Sequence, residues 1–561
     1  MPAQPDLIRG PRALRTPVLA CVASAIIVVT SVLAMHVPQG AYSDPGWQLK
    51  AVQQYLQGAS PNPSSLVMAD PNDLSRDLPG WISWWAPGTE IFAWPLMRFG
   101  MSPGAAVRAI ASGSLILGAL GWGLWISLFD FPRLPKLALC VMLPWMQYAH
   151  NALFLYSAEA LVFAAVPWAL LVMLHLSESR RAGAGRAAVA GLLVGFLYVL
   201  KYSAAFVVAG ALVFVIRVTI QRTSQGSVSA LERRRMWLRT SVCAFAAAVP
   251  VLGLSLVNRL AAGTANLVTA SVAIRFRPRM LLFALANPAL IAAGADAPLR
   301  YILLHPTRGL FRGASELPLA LAGMAGGIVM LWLLWSSRST KSSAELARTV
   351  LAVSILCMLS VWTLTGGKVS YDARHLAGAG LAGLPCALEA GFAIVKRSSR
   401  TVRWALAALG VCYVALPLAY GATAAVGKFA RQSKQNQGPA RLYNPLLAGS
   451  DVSRAVALLH DGSDRPTDVW YLTDPVSALE FNGRVVIRHA DFMDAAELRR
   501  EAFRTTKPVR VRLVLPANFE ANGKAEVIRS SFIDAGSWSK CPTDGTTRCW
   551  TSLIGARGGA S

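Results

Sequence analysis

The sequence predicts a mainly α, polytopic membrane protein. We expect a bundle of about eleven transmembrane helices, juxtamembrane helices in its first outer loop, and a small C-terminal α/β domain. Three observations carry this expectation. The 561 residues are 54% hydrophobic and only 15% charged, with a mean hydropathy of +0.45, values of membrane-embedded chains rather than soluble enzymes. Apolar runs of near-spanning length recur along the chain. Lys and Arg gather in short clusters on alternate connections, the pattern that orients membrane spans. This clustering also assigns the net charge of +25 to topology and excludes nucleic acid as a partner.

In chain order the expected spans are 17–37, 104–129, 136–149, 158–176, 187–200, 203–216, 240–257, 317–335, 349–365, 376–395 and 404–426. Arg9, Arg12 and Arg15 precede the first run, which is too long for a signal-peptide core and places the N-terminus in the cytoplasm. Basic clusters then mark the cytoplasmic connections: Arg133 and Lys136, Arg180 to Arg186, Arg217 to Arg239, Arg338 to Arg348, and Lys396 to Arg403. The short outer connections carry only Lys201, Lys368 and Arg374. Residues 187–216 would also fit one long helix, but that inverts the charge rule for everything after it. Two short spans meeting at Lys201 and Tyr202 preserve it. The expected domains are therefore a transmembrane unit, 1–426, with outer loops 38–103 and 258–316, and an outer domain, 427–561. The setting is a bacterial inner membrane, with the C-terminal domain periplasmic.

That domain reads as α/β. A helix at Val452–Leu459 precedes strands at Val469–Leu472 and Val485–Ile487, a helix at Ala495–Phe503 and a strand at Val509–Leu515. Cys541 and Cys549 flank turn residues near the C-terminus, as in a disulfide-pinned hairpin in an oxidising compartment, with two free thiols as the alternative. The other six cysteines lie in apolar runs as small hydrophobes. No Gly-rich phosphate fingerprint or metal-ligand spacing is present in the domain.

The chemistry is sought among charged groups at the outer face. Asp44 lies just past the first span and opens an amphipathic pattern, with Trp47, Leu49, Val52, Tyr55 and Leu56 on one face and Gln48, Lys50, Gln53 and Gln54 on the other. Residues 84–100, WWAPGTEIFAWPLMRFG, add Glu90 and the aromatics Trp84, Trp85 and Trp94, expected as interfacial anchors. The 149–159 segment supplies His150 and Glu159. Lys201 stands between two spans, Arg275, Arg277 and Arg279 form a basic patch, and Arg374 and His375 follow Asp372.

Four segments in this order resemble the GT-C superfamily of integral membrane glycosyltransferases, which includes dolichyl-phosphate mannosyltransferases and aminoarabinose transferases. They are SDPGWQLKAVQQYLQG at 43–58, the proline-containing stretch 84–100, AAVAGLLVGFLYVLKYSAAF at 187–206, and YDARHLAGAGLAGLP at 371–385. The resemblance spans roughly the first three quarters of the chain. It implies a bundle of that type and inverting transfer of a hexosyl or pentosyl group from a polyprenyl-phosphate-linked donor to a lipid, glycan or protein acceptor on the periplasmic face. It further implies Asp44 as the general base and Lys201 and Arg374 as ligands of the donor phosphate. Glu159, His150, His375 and Glu90 are further candidates. The chain departs from the family where His375 replaces a tyrosine after the arginine, and where no second acid accompanies Asp44. The latter points to a site without a metal, and no cofactor is expected.

Plainer readings stand beside these. Asp44 before Pro45-Gly46 fits a turn, Lys201 a span-end lysine, and Arg374 a structural partner of Asp372. Two other functions compete. A surface-polysaccharide polymerase or ligase would rely on Arg275 and Arg279. A non-enzymatic transporter or assembly protein would need matched polar residues within its spans.

Overall fold

The structure is a computed structural model. It describes residues 11–179, 182–224, 228–264, 280–292, 294–295, 299, 303, 317–336, 339–364, 373–435, 438–444, 446–447, 452–460, 468–490, 493–543 and 547–555. Arg275, Arg277, Arg279, Lys368 and Asp372 lie outside the described residues.

Among the described residues, eight helices are long and apolar enough to cross a membrane. They lie at Thr16–Ala34, Pro103–Ser127, Glu159–Glu178, Tyr202–Thr223, Ala230–Ala262, Leu317–Ser336, Ser342–Val361 and Arg374–Val395. Ala184–Leu200 is a shorter apolar helix, and Arg400–Gln432 forms a further long one. The helical path breaks at Lys201, whose backbone is extended (φ −162°, ψ 130°). Residues 184–223 therefore form two helices, as the charge pattern requires.

Three expectations about the bundle need correction. The run at 136–149 is not one span: the helix Arg133–Met142 ends before Pro144, and 3-10 and short α turns continue to Leu153. A proline within the run removes a donor and breaks the helical ladder there. The 258–316 region is not wholly an outer loop. Met280–Ala292 is an apolar helix packed among the 317–336, 342–364 and 377–395 helices, too short to register as a span. Finally, the helix Ser43–Leu56 does not lie with its polar face in water or headgroups. Gln48, Lys50 and Gln54 are buried, because the first loop and the C-terminal domain together cover this face: Gln48 and Gln54 donate to Ala86 O and Val67 O, and Lys50 to Phe481 O.

The C-terminal domain carries a five-stranded sheet. Its order is β6 (Arg484–Ile487), β5 (Asp468–Leu472), β7 (Val509–Pro516), β9 (Thr547–Ile554) and β8 (Ser539–Lys540). The first three strands run parallel and the last two antiparallel. The helix Val452–Leu459 forms where its apolar spacing places it, whereas the helix expected to reach residue 503 stops at Arg499. Cys541 and Cys549 are joined by a disulfide, with Cα atoms 5.1 Å apart.

This domain is not set apart from the first loop. The antiparallel hairpin β2 (Ser65–Asp70) and β3 (Asp73–Trp81) docks on it. Leu74 N–H donates to Arg504 O at 2.8 Å, Arg484 pairs with Asp77 at 2.9 Å, and Ala69 and Leu74 join the sheet's apolar core. At its far end the hairpin meets the bundle, where Trp81 Nε1 donates to Asn258 Oδ1 at 2.8 Å.

Candidate active site

A two-residue ladder builds the site. β1 (Gly40–Ala41) pairs parallel with β4 (Leu155–Tyr156), in the register Gly40 to Leu155 and Ala41 to Tyr156. Gly40 N–H donates to Phe154 O at 2.7 Å and Tyr42 N–H to Tyr156 O at 3.0 Å. Both chains then turn into helices, Ser43–Leu56 and Glu159–Glu178. Asp44 and Glu159 each stand three residues beyond the paired Ala41 and Tyr156, so the ladder delivers two carboxylates to one place. Each lies in the first turn of its helix, where the backbone N–H groups favour negative charge.

Glu159 is buried, with 6% of its side chain exposed, and it is paired twice. Lys201 Nζ donates to Glu159 Oε1, and Arg374 Nε lies 3.4 Å from the same oxygen. A buried carboxylate without such partners would be strongly disfavoured, so the two cations are what permit it. Lys201 is presented by the break between its helices, and Arg374 by a 3-10 turn, Ala373–Leu376, that opens the helix Ala377–Val395.

Asp44 is half-buried and takes a 3.3 Å hydrogen bond from the Ser43 hydroxyl. Burial pushes its carboxyl above the ordinary range. Lys201 and Arg374 pull it back, and Glu159 pushes it up again. Asp44, Glu159, Lys201 and Arg374 therefore form one electrostatic unit of two acids and two cations.

Gly88 tightens this arrangement. A Cβ there would sit 2.6 Å from Leu200 O, so only glycine lets the start of the Gly88–Arg98 helix approach the Lys201 turn so closely. Gly46 plays the same part on the other side, where a Cβ would meet Val476 N at 3.1 Å. The C-terminal domain thus rests directly on the helix that carries Asp44. Lys50 Nζ donates to Phe481 O at 2.7 Å and Gln53 Nε2 to Leu479 O at 3.0 Å.

The other candidates fall elsewhere. His150 is buried beside Trp145 and Phe154, at ring distances of 6.3 and 5.4 Å, and belongs to the aromatic core. Glu90 is buried and accepts from the Ser64 hydroxyl, and burial raises its carboxyl to about 8. His375 is half-buried next to Arg374 in the same turn. Trp85 is half-buried against the C-terminal domain's apolar cluster, and Trp84 packs on Trp47, so neither is simply an interfacial anchor; Trp94 remains 40% exposed.

The acid that stands with Asp44 is the one its chain neighbours do not reveal. Glu159 reads in the sequence as a helix-end residue. The signal that marks it is an acid at the first position of a helix that is otherwise apolar up to its last turn, at the end of the bundle where Lys201 and Arg374 also emerge. Among the described residues, no group of three His, Cys, Asp or Glu side chains is placed to hold a metal ion.

No protein-family model matches the chain, and no curated protein matches it. It is similar to two solved structures of ArnT from Cupriavidus metallidurans. One, bound to undecaprenyl phosphate, is 13% identical with a TM-score of 0.47, covering 95% of this chain and 97% of that one. The other, in the apo state, is 12% identical with a TM-score of 0.46 and the same coverage.

Proposed function

We propose that this protein is a membrane glycosyltransferase of the GT-C type. It moves a sugar from a polyprenyl-phosphate donor to a lipid, glycan or protein acceptor at the periplasmic face. The observation that carries the reading is the in-register ladder that sets Asp44 beside the Glu159–Lys201–Arg374 cluster. The four family-like segments of the sequence supply three of these four residues and support the same assignment.

The chemistry follows from the charges. The acceptor hydroxyl oxygen attacks the anomeric carbon while the bond from that carbon to the phosphate oxygen breaks, its electron pair leaving with the polyprenyl phosphate. Asp44 takes the hydroxyl proton as general base. Its raised affinity for a proton brings it nearer to working pH than an ordinary aspartate. Lys201 and Arg374 stabilise the charge that grows on the leaving phosphate, the ammonium as a point charge and the guanidinium through its planar fork. Glu159 holds both cations in place before the donor arrives, so little reorganisation accompanies the reaction. A single base and a leaving group on opposite faces of the sugar give inversion at the anomeric carbon.

The test is transfer from a radiolabelled polyprenyl-phosphate hexose or pentose into membrane lipid, glycan or protein. Membranes containing the overproduced protein are compared with membranes lacking it. Label appearing in an acceptor only with the protein present supports the reading, and equal label in both membranes contradicts it.

A further inference from the structure

Trp84 is held in an unusual position for an exposed tryptophan. Its ring meets Trp47 at 5.9 Å and Trp85 at 5.5 Å, both edge-to-face. Trp47 lies one helical turn after Asp44 and is itself pinned by the C-terminal domain, its Nε1 donating to His489 Nε2 at 2.8 Å. On the other side, Ser83 O accepts from the Tyr202 hydroxyl at 3.2 Å, and Tyr202 directly follows Lys201. Tyr202 is in turn held by Asn258, whose Nδ2 donates to its hydroxyl at 2.9 Å.

The 83–84 segment is thus a bridge. One end is tied to the turn that presents Lys201, the other to the helix that presents Asp44. Ser83 and Trp47 are buried, yet Trp84 remains 39% exposed. A large indole buttressed by two neighbouring rings and left open, on a segment tied to the Lys201 turn and to the Asp44 helix, is poorly explained as a lipid anchor. An anchor needs neither the buttress of two tryptophans nor a tie to the reacting end of the bundle.

We infer that Trp84 is the platform of a sugar subsite, on which the apolar C–H face of a pyranose ring packs. An indole offers a flat, electron-rich surface with few rotamers to freeze, so stacking on it orients a ring at small entropic cost. The 83–84 segment thus couples the elements that carry the charged groups for the phosphate and the proton to an open aromatic surface suited to the ring. This inference rests on the glycosyl-transfer reading above. The ring belongs either to the donor or to a glycan acceptor.

Purified full-length wild type, Trp84→Ala and Trp84→Phe separate these sources. Two probes are bound, bare polyprenyl phosphate and a polyprenyl-phosphate hexose, and transfer into membranes is measured as a function of acceptor. For a donor subsite, Trp84→Ala weakens binding of the hexose-bearing lipid roughly tenfold, leaves the bare lipid unchanged, and Trp84→Phe restores most of the loss. For an acceptor subsite, both lipids bind normally and the KM for acceptor rises by a similar factor, again restored by phenylalanine. Equal weakening of both lipids without rescue makes Trp84 a lipid contact and overturns the subsite, as does an active wild type with a Trp84→Ala variant unchanged in every measure. A wild type that neither binds nor transfers sinks the glycosyl-transfer reading itself, and the subsite with it.

Discussion

Arg374 Nε lies 3.4 Å from Glu159 Oε1, on an oxygen that Lys201 also contacts. Three distant chain segments therefore meet on one buried carboxylate, and Asp44 feels all three charges. Removing any one of them changes both the cluster's geometry and the proton affinity of the proposed base.

Glu159→Gln keeps the shape but removes a negative charge that raises the Asp44 carboxyl. The acid limb of the transfer rate against pH then moves to lower pH, because Asp44 deprotonates more readily beside two less-compensated cations. The maximum rate falls about tenfold or more as Lys201 and Arg374 lose their common anchor. A pH profile that stays in place while the rate falls would assign Glu159 no electrostatic hold on Asp44.

Lys201→Met acts in the opposite sense on pH. It deletes the largest charge that lowers the Asp44 carboxyl, so the acid limb moves up. It also deletes a group proposed to stabilise the leaving phosphate, and we expect kcat to drop about 10²–10³-fold. Arg374→Lys retains the charge but loses the fork, and should cost less than Arg374→Met. Steady-state transfer measured across pH checks both.

Glu90 gives a stability signature separate from catalysis. Burial raises its carboxyl from 4.5 to about 8, so the native protein keeps a proton that the unfolded chain releases. Stability therefore falls as pH rises from about 4.5 to about 8. Glu90→Gln, which retains a partner for the Ser64 hydroxyl, should flatten that slope. Thermal unfolding of the detergent-purified protein across this range is the measurement, and an unchanged slope would reject the assignment.

Lys50 links the Asp44 helix to the C-terminal domain. Lys50→Met leaves Phe481 O without its buried donor, at a cost of about 1–3 kcal/mol. Because the contact sits on the helix that carries Asp44, transfer should fall along with stability. Loss of stability without loss of transfer would show that the domain's docking does not position the base.

How much of this is legible in the sequence differs by element. Asp44, Lys201 and Arg374 stand out because each is a charge at the end of an apolar run, and the break at Lys201 follows from the charge rule alone. Glu159 is undervalued because its partners are far along the chain, and only the Ala41–Tyr156 register brings it to Asp44. The polar face of Gln48, Lys50 and Gln54 misleads for a different reason. Amphipathic patterning distinguishes apolar from polar sides, but it does not say whether the polar side meets water or, as here, the backbone carbonyls of the first loop and the C-terminal domain. The helix Met280–Ala292 escapes because a largely apolar helix of thirteen residues falls short of a span, although its packing places it inside the bundle.

The central claim is that Asp44 accepts the acceptor's proton. The most direct measurement compares wild type with Asp44→Asn for transfer from a radiolabelled polyprenyl-phosphate sugar in purified membranes at matched protein level. Asparagine nearly preserves size and removes the base, and a positioned general base contributes about 10²–10⁴-fold. The account predicts a loss of that order with donor binding retained. Undiminished transfer by Asp44→Asn would contradict it.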